Sequence, residues 1–568
     1  MLVRSSLRLF AQQKQLLSSF LTFQDVFFVG GAIRDVLLGI TQDPKDIDLT
    51  LSWHPDEVRS QIHDDACSRF RTEKFGTMTI IPHVDKELNY EITPFRTEGG
   101  YEDFRHPEEI TRSSSLLADS KRRDFTINCL YLACAPDQFM LQPTQPALPA
   151  TDDHELLALL AQHGSIFLVT HNVVIIQNHA HIELLFPDGT FNEEHAQQFF
   201  QDIVSVGEVK QNGPVLFLID PHGGLNDLVD PVIRTVGDPH LRFGEDALRI
   251  IRGVRFVNIL NQHLAKLHTN NYFDIDPATR NAMKKSYYLL TSLPKERLHI
   301  EIKKVFCAHD PFGYIALLDE LRILPILFPA VAATKNVLQP VRYHPFDVYS
   351  HTLLCLKALQ ARNDDRLCKL GMLYHDVGKP EQYHYYSLMP SKEEKKLPIA
   401  GKMYHTTLGV PLATSDLRAL GCSQKEIDTV CRYINMHHRP GELLDGKEEN
   451  LVKKLRKLIS ESGIELVHNL IDLAIADRMW QYNPMQPPAI DGLLAMQQQI
   501  HDLYDSEGRF TQSNLAIDGT ILMDTYGIPP GREVGELLAL AFDRVLTDIS
   551  GRNTKEQILH YLDEQRGK

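Results

Sequence analysis

Asp46 and Asp48 stand two apart in the alternating run Asp46-Ile47-Asp48-Leu49. On a β-strand that spacing points both carboxylates to one face. Such a pair can hold two magnesium ions, which would activate an attacking hydroxyl, steady a leaving pyrophosphate and neutralise a triphosphate, as nucleotidyl transfer requires. Just upstream, Gly30-Gly31 lacks side chains, so backbone N–H groups can approach a phosphate where the next helix begins. Arg34 lies one turn in, within reach of a phosphate oxygen. Singly, a D-x-D and a glycine turn are common surface features; in this order and spacing they are specific.

Two further constellations carry chemistry. In "GEDALRIIRGVRF", Asp246 and Arg249 are three apart, which on a helix makes them neighbours on one face, with Arg252 and Arg255 continuing the stripe. The carboxylate can accept from an exocyclic amine while the guanidinium donates to the adjacent ring nitrogen or oxygen. This suits cytosine and adenine and not uracil or guanine. Arg252 and Arg255 would then hold phosphate or stack on a base; the plainer reading is a solvated helix with ion pairs. Further along, His351, the dyad His375-Asp376, and Asp477 each lie in apolar helical context that turns them inward. Buried imidazole with carboxylate points to a divalent transition metal or magnesium, which makes a water able to attack a phosphate ester. Lys379 is placed to steady that phosphate.

The elements that position these groups change in kind along the chain. A strand, a tight turn and a helix (Val26 to Leu38), then short β-branched runs, predict an α/β head over residues 1–134. Prolines mark the entry to an acidic insertion, 135–214, with strand-like runs at Ile166–Ile176 and His181–Phe186 expected to form a small module. Helical periodicity then dominates: a connection and helical neck and body over 215–340, a metal-site domain over 341–480 and a helical tail over 481–568. The fold class expected is an α/β head with a mixed sheet, followed by an all-α body.

The chain has 568 residues, 43% hydrophobic and 23% charged, with no apolar stretch long enough to span a bilayer, so no membrane partner is expected. Its eight cysteines contain no C-x-x-C pair, which argues against a disulfide framework and for a reducing cytoplasm. The acid-free N-terminus with Arg4, Arg8 and Lys14 reads as an amphipathic helix leading into the first strand, an organellar presequence being the alternative. The net charge of −15 speaks against nucleic acid until its distribution is seen. Residues 135–214 hold one basic residue against ten acids, whereas Leu241 to Lys304 holds 12 basic residues against 6 acids. An RNA-binding surface is therefore expected in the second stretch, with Lys284, Lys285, Lys303 and Lys304 as candidate backbone contacts. The insertion, repelled by phosphate, suits a protein partner or a structural embellishment. Its six histidines show no tight ligand spacing.

The glycine pair, Arg-Asp, Leu-Leu-Gly and D-x-D resemble the nucleotidyltransferase head of the class II CCA-adding enzymes and poly(A) polymerases. Phe75-Gly76-Thr77, the loop motif Tyr101 to Pro107 and "RRDFTIN" (Arg122 to Asn128) follow in family order. "LIDPHGGLNDLVD" resembles the family's head-to-neck connection, and Pro294 to Arg297 its next helix start. The resemblance assigns Arg123 to the triphosphate and leaves Glu91 and Asp124 both open as a third acid; Asp124 also reads as a helix cap or a partner of Arg122. The order H, HD, D resembles the HD phosphohydrolases, with His405 and His437 where such enzymes place extra ligands and His438 competing for the second. Together these imply magnesium in the head, a divalent metal at the HD site, CTP, ATP and the tRNA 3′ end as partners, and addition of CMP and AMP without a template. An HD activity on 2′,3′-cyclic or terminal phosphates would accompany it. The rivals are A-only addition, as in poly(A) polymerases, CC-only addition, and an HD phosphohydrolase whose head merely binds RNA.

Overall fold

The computed structural model describes residues 9–18, 26–51, 67–72, 77–99, 109–112, 116–135, 165–169, 174–178, 181–185, 215–266, 272–308, 310–340, 344–388, 404–444, 451–481 and 490–566. Two compact units result, 1–294 and 295–568.

In the first unit, strand β1 (Phe27–Val29) is fully buried and sits near the middle of a ten-stranded sheet. It pairs antiparallel with β2 (Asp46–Leu51) on one side and with β8 (Tyr131–Ala135) on the other. Beyond β2 lie β5 (Asn89–Pro94), β4 (Thr77–Pro82) and β3 (Cys67–Thr72); β6 (Arg96–Gly99) and β7 (Glu109–Arg112) form a separate hairpin. The β2–β5 pair is parallel and its neighbours antiparallel, so the sheet is mixed. Ile47, Leu49, Tyr90 and Ile92 bury one face, which leaves Asp46, Asp48 and Glu91 on the open one. Helix α1 (Leu9–Ser18) seats Phe10 on Phe28, ring centroids 5.0 Å apart.

The strand-like runs of the acidic insertion are strands, β9 (Ser165–Val169), β10 (Val174–Asn178) and β11 (His181–Leu185). They do not stand apart as a module. β12 (Val215–Asp220) pairs with both β8 and β9, so the insertion continues the head sheet edge to edge. A hydrogen-bonding edge is extended most readily by antiparallel neighbours joined in sequence.

Between β1 and β2 lies helix α2 (Gly31–Leu37), which packs Ile33, Val36 and Leu37 inward, and after the sheet come the neck helices α3 (Pro239–Glu245) and α4 (Leu248–Lys266). Asp238 caps α3 by accepting from the His240 N–H, with Pro239 at the first helical position.

The second unit is helical. Helices α5 (Val348–Gln360), α6 (Arg366–Tyr374), α7 (Lys379–Ser387), α8 (His405–Ala419), α9 (Gln424–Met436) and α10 (Ile464–Met479) bury Leu356, Leu373, Val377, Ile434, Leu470 and Leu473. The tail is more than a helical extension: Leu522, Leu537, Ala541, Val545, Ile558 and Leu562 form a core of their own. Among the described residues no helix is long and apolar enough to cross a membrane.

Candidate functional sites

In the head, strand register does what spacing alone could not. Asp46 lies opposite Asn89 and Asp48 opposite Glu91, so three carboxylates share the open face where β2 meets β5. Solvent reaches Asp48, yet the surrounding wall desolvates its carboxyl enough to push its pKa up; Asp46 adds to this, while Arg123, Arg252 and Arg34 pull the other way. Glu91 is pushed up by desolvation and then by Asp48 and Asp46. Crowded acids of this kind favour a divalent cation over three separate charges. Gly30 bends the chain at φ +83°, and a Cβ there would lie 3.1 Å from Asp48 Oδ2. Glycine thus permits both the turn and the approach of Asp48. Gly31 opens α2.

Asp124 is the other candidate acid, and its surroundings differ. It is buried, accepts from Arg252 Nε at 2.8 Å, from Asn128 Nδ2 at 3.1 Å and from the Phe125 N–H at 2.8 Å. Burial would raise its pKa, but Arg252 and those donors outweigh it and hold the carboxyl at about 2. Asp124 is therefore occupied in fixing Arg252, whereas Glu91 shares the open face with Asp46 and Asp48. Asp124→Asn is expected to cost about 2 kcal/mol at pH 7, the worth of a carboxylate held that far below its unfolded value. The depressed pKa gives stability that is present above the unfolded value and lost as pH falls through the folded one. In urea titrations the gap between wild type and variant should therefore be full at neutral pH and close below about pH 4.

Three guanidinium groups converge on one ring. Arg34, Arg252 and Arg255 lie 5.0, 5.5 and 4.4 Å from the centroid of Phe256, which packs edge-on against Phe125. Arg34 also donates to Asn128 Oδ1 and pairs with Asp35 at 2.8 Å. Arg123 is held by Asp119 at 2.9 Å and by the Tyr131 hydroxyl at 2.8 Å. Asn128 and Phe256 lie inside motifs visible in the sequence, but nothing in their spacing marks them as the residues that hold the arginines.

The pairing of Asp246 with Arg249 on one helix face needs correction. Asp246 is the C-cap of α3, with extended backbone (φ −144°, ψ 101°), and its carboxylate accepts from the Leu248 N–H at 3.1 Å. The helix breaks there because an Asp side chain can take a free N–H of the following turn in place of the ladder. Arg249, buried, donates to Glu245 Oε2 at 2.7 Å and to the carbonyls of Arg242 and Arg122 at 2.9 and 2.7 Å. Glu245, unremarked in the sequence, is its acidic partner.

In the second unit the HD residues meet. His351 Nε2 lies 2.9 Å from Asp477 Oδ1, His375 Nε2 3.1 Å from Asp376 Oδ2 and 3.9 Å from Asp477 Oδ1, and Lys379 Nζ 2.6 Å from Asp376 Oδ2. His405 Nε2 is 3.6 Å from Asp376 Oδ1 and 3.4 Å from His437 Nε2; His438 Nε2 is 3.1 Å from His405 Nε2. Among the described residues the possible ligand atoms at this site form three groups, His351/His375/Asp376, His351/Cys355/Asp477 and His405/His437/His438, with Asp376 also facing His405.

Ring orientation supports metal binding. His375 and His437 point Nδ1 at the carbonyls of Met372 and Ile434, each at 2.8 Å, which turns Nε2 inward, as metal-ligating imidazoles require. Burial, and after it the neighbouring histidines His438, His375 and His405, push His437 far down; burial likewise takes His405 down to about 3, so both stay neutral. His375 Nε2 and the Asp376 oxygens are buried, and their near polar neighbours lie within the cluster itself, each other at 3.1 Å and Lys379 Nζ at 2.6 Å from Asp376 Oδ2. Buried imidazole and carboxylate atoms crowded in this way fit a divalent cation. Gly378 makes the cluster possible: a Cβ there would lie 1.9 Å from the His405 carbonyl oxygen. His344, missed in the sequence, has its ring 4.7 Å from His351 and is held down to about 4 by burial and by Lys379. The loop motif Tyr101 to Pro107, Phe75-Gly76 and most of the acidic insertion, including all its histidines but His181, lie outside the described residues.

Comparison with known proteins finds the same order of segments. Residues 26–142 match the poly A polymerase head domain, 272–335 the "Probable RNA and SrmB- binding site of polymerase A" and 341–479 the HD domain, in that order. In these three segments the chain resembles the poly(A) polymerases and CCA-adding enzymes. Its relatives include a CCA-adding enzyme of Ligilactobacillus salivarius, 29% identical over 56% of this chain and 54% of that one. The CCA-adding enzyme of Anoxybacillus flavithermus is likewise 29% identical, over 55% and 54%. The chain thus spans about half the length of the curated relatives it matches. The crystal structure of the Bacillus stearothermophilus CCA-adding enzyme in complex with CTP shares the fold, at TM-score 0.57 and 21% identity over 99% of this chain and 98% of that one. This chain combines the mixed-sheet head with a helical body that carries the HD match.

Proposed function

We propose that this protein adds CMP and AMP to the 3′ end of tRNA from CTP and ATP, without a template. The observation that carries the reading is the β2–β5 register, which sets Glu91 beside Asp48 and both beside Asp46, opposite the arginines around Phe256. The CCA-adding relatives and the CTP complex named above support this substrate class. Magnesium at the three acids would supply the charge that activates the 3′ hydroxyl and receives pyrophosphate. The chain's own share is positional. Gly30 and Gly31 leave room for phosphate, and Arg34 and Arg123 neutralise it. Arg252 and Arg255, stacked on Phe256, line the nucleotide. Base choice falls to the α3–α4 junction, where Asp246 accepts an exocyclic amine and Arg249, three of its five N–H groups already committed, donates from the rest.

Phe256 is a positioning residue in this scheme. Phe256→Leu, which keeps most of the volume and loses the ring, is expected to raise KM for CTP and ATP roughly three- to tenfold, the worth of one or two partly buried cation–π contacts. Phe256→Tyr should restore the wild-type KM. The substrate reading itself is tested by offering each of the four nucleoside triphosphates alone to tRNA lacking its CCA. Incorporation of C and not of U or G supports it, and indifference to the base defeats it.

At the second site the reading is hydrolysis of phosphate esters at tRNA ends, 2′,3′-cyclic or terminal phosphates that would block addition. His351, His375, Asp376 and Asp477 would hold a divalent metal, with His405 and His437 or His438 extending the set, and Lys379 would meet the phosphate. The buried cluster of imidazole and carboxylate atoms, with His375 Nε2 turned inward, is its support.

A further inference from the structure

Gln339 lies between the matched segments 272–335 and 341–479, and no motif in the sequence points to it. The chain just before it is pinned to the start of α5, where the Asn336 N–H donates to Asp347 Oδ2 at 2.6 Å and the Val348 N–H to the Val337 carbonyl at 3.0 Å. From there its buried side chain reaches α7. Nε2 donates to the Phe346 carbonyl at 3.3 Å, which orients the amide so that Oε1 accepts from Lys379 Nζ at 2.7 Å. A lysine ammonium has three N–H donors. Asp376 Oδ2, 2.6 Å away, takes one and Gln339 a second, which leaves one for a ligand.

We infer that Gln339 is a positioning residue of the HD site, one that holds Lys379 Nζ between Asp376 and an incoming phosphate and so sets the affinity for that group. The inference rests on the phosphate-ester reading of this site. The choice of an amide matters. Being neutral, it fixes the ammonium without adding a negative charge that would compete with phosphate for it, as a second carboxylate would. With the amide gone, Asp376 alone would draw the ammonium, toward the acid that faces His375 and His405 and away from the ligand.

The test assays the full-length protein on a tRNA ending in a 2′,3′-cyclic phosphate, with whichever of Mg2+, Mn2+, Co2+ or Ni2+ supports hydrolysis, and measures binding of inorganic phosphate by calorimetry in the same buffer. Gln339→Leu is expected to raise KM and the phosphate Kd together by about tenfold, the worth of one hydrogen bond to a charged group. kcat should stay within about twofold of wild type, the signature of lost uniform binding, and metal content should not change. Gln339→Glu has the same size and still accepts from Lys379, yet should raise both constants at least as far, because its charge competes with phosphate; should Gln339→Leu not fold, this variant decides alone. Wild-type KM and Kd in Gln339→Glu would show that Gln339 serves packing only and overturn the inference. Unchanged constants in Gln339→Leu, or bound metal lost along with activity in the folded variants, would overturn it as well. A wild type that neither hydrolyses the ester nor binds phosphate would overturn the reading of the site itself, and this inference with it.

Discussion

Asp48→Ala is expected to lower nucleotide incorporation at least about a thousandfold while the head stays folded. The two halves of that expectation have separate causes. Charge stabilisation by a bound metal is worth several kcal/mol of the barrier, and each ~1.4 kcal/mol is tenfold in rate. Asp48 faces the open side of the sheet, and the apolar side is filled by Ile47 and Leu49, so removing its carboxylate takes nothing from the core. Thermal melting close to wild type with incorporation lost is the result to look for. Glu91→Gln should fall in the same direction with the same intact melt. Asp124→Asn, by contrast, should show its main effect in stability, because its carboxylate is bound to Arg252, Asn128 and the Phe125 N–H.

His375→Ala is expected to remove metal-dependent phosphate-ester hydrolysis, by at least about 100-fold, and to leave incorporation unchanged. The imidazole is fixed by its Nδ1 bond to the Met372 carbonyl, so its Nε2 has one task, and even the partners that merely orient a ligand are worth 10- to 100-fold in metal affinity or activity. Metal content of the purified variant, measured beside activity on a 2′,3′-cyclic phosphate at a tRNA end, checks this. Hydrolysis surviving in a metal-depleted variant would remove the HD cluster from the reaction.

What the sequence made legible was local. Asp46 and Asp48 could be placed on one face because strand alternation is fixed by two residues, and His351, His375, Asp376 and Asp477 could be turned inward because their helical contexts are apolar. Glu91 could not be chosen over Asp124 in the same way. Its place beside Asp48 depends on the register of two parallel strands 43 residues apart in the chain, and Asp124's commitment to Arg252 depends on a contact across 128 residues. Asp246 shows the opposite failure. A continuous helical pattern through "GEDALRIIRGVRF" hid a break made by the Asp side chain itself, which takes the Leu248 N–H and moves Arg249 to Glu245. Ring orientation is likewise not written in spacing, so His344 emerged only with the fold. The strands of the acidic insertion were visible as β-branched runs, but their continuation of the head sheet was set by β12 lying between β8 and β9.

The measurement that tests the central claim most directly is one incubation of the purified protein with magnesium, CTP and ATP on three tRNA transcripts, ending before CCA, after C and after CC, followed by sequencing of the added 3′ nucleotides. The account predicts that each transcript is completed to CCA and that addition then stops. Addition of A alone to all three, or no addition to any, would contradict it.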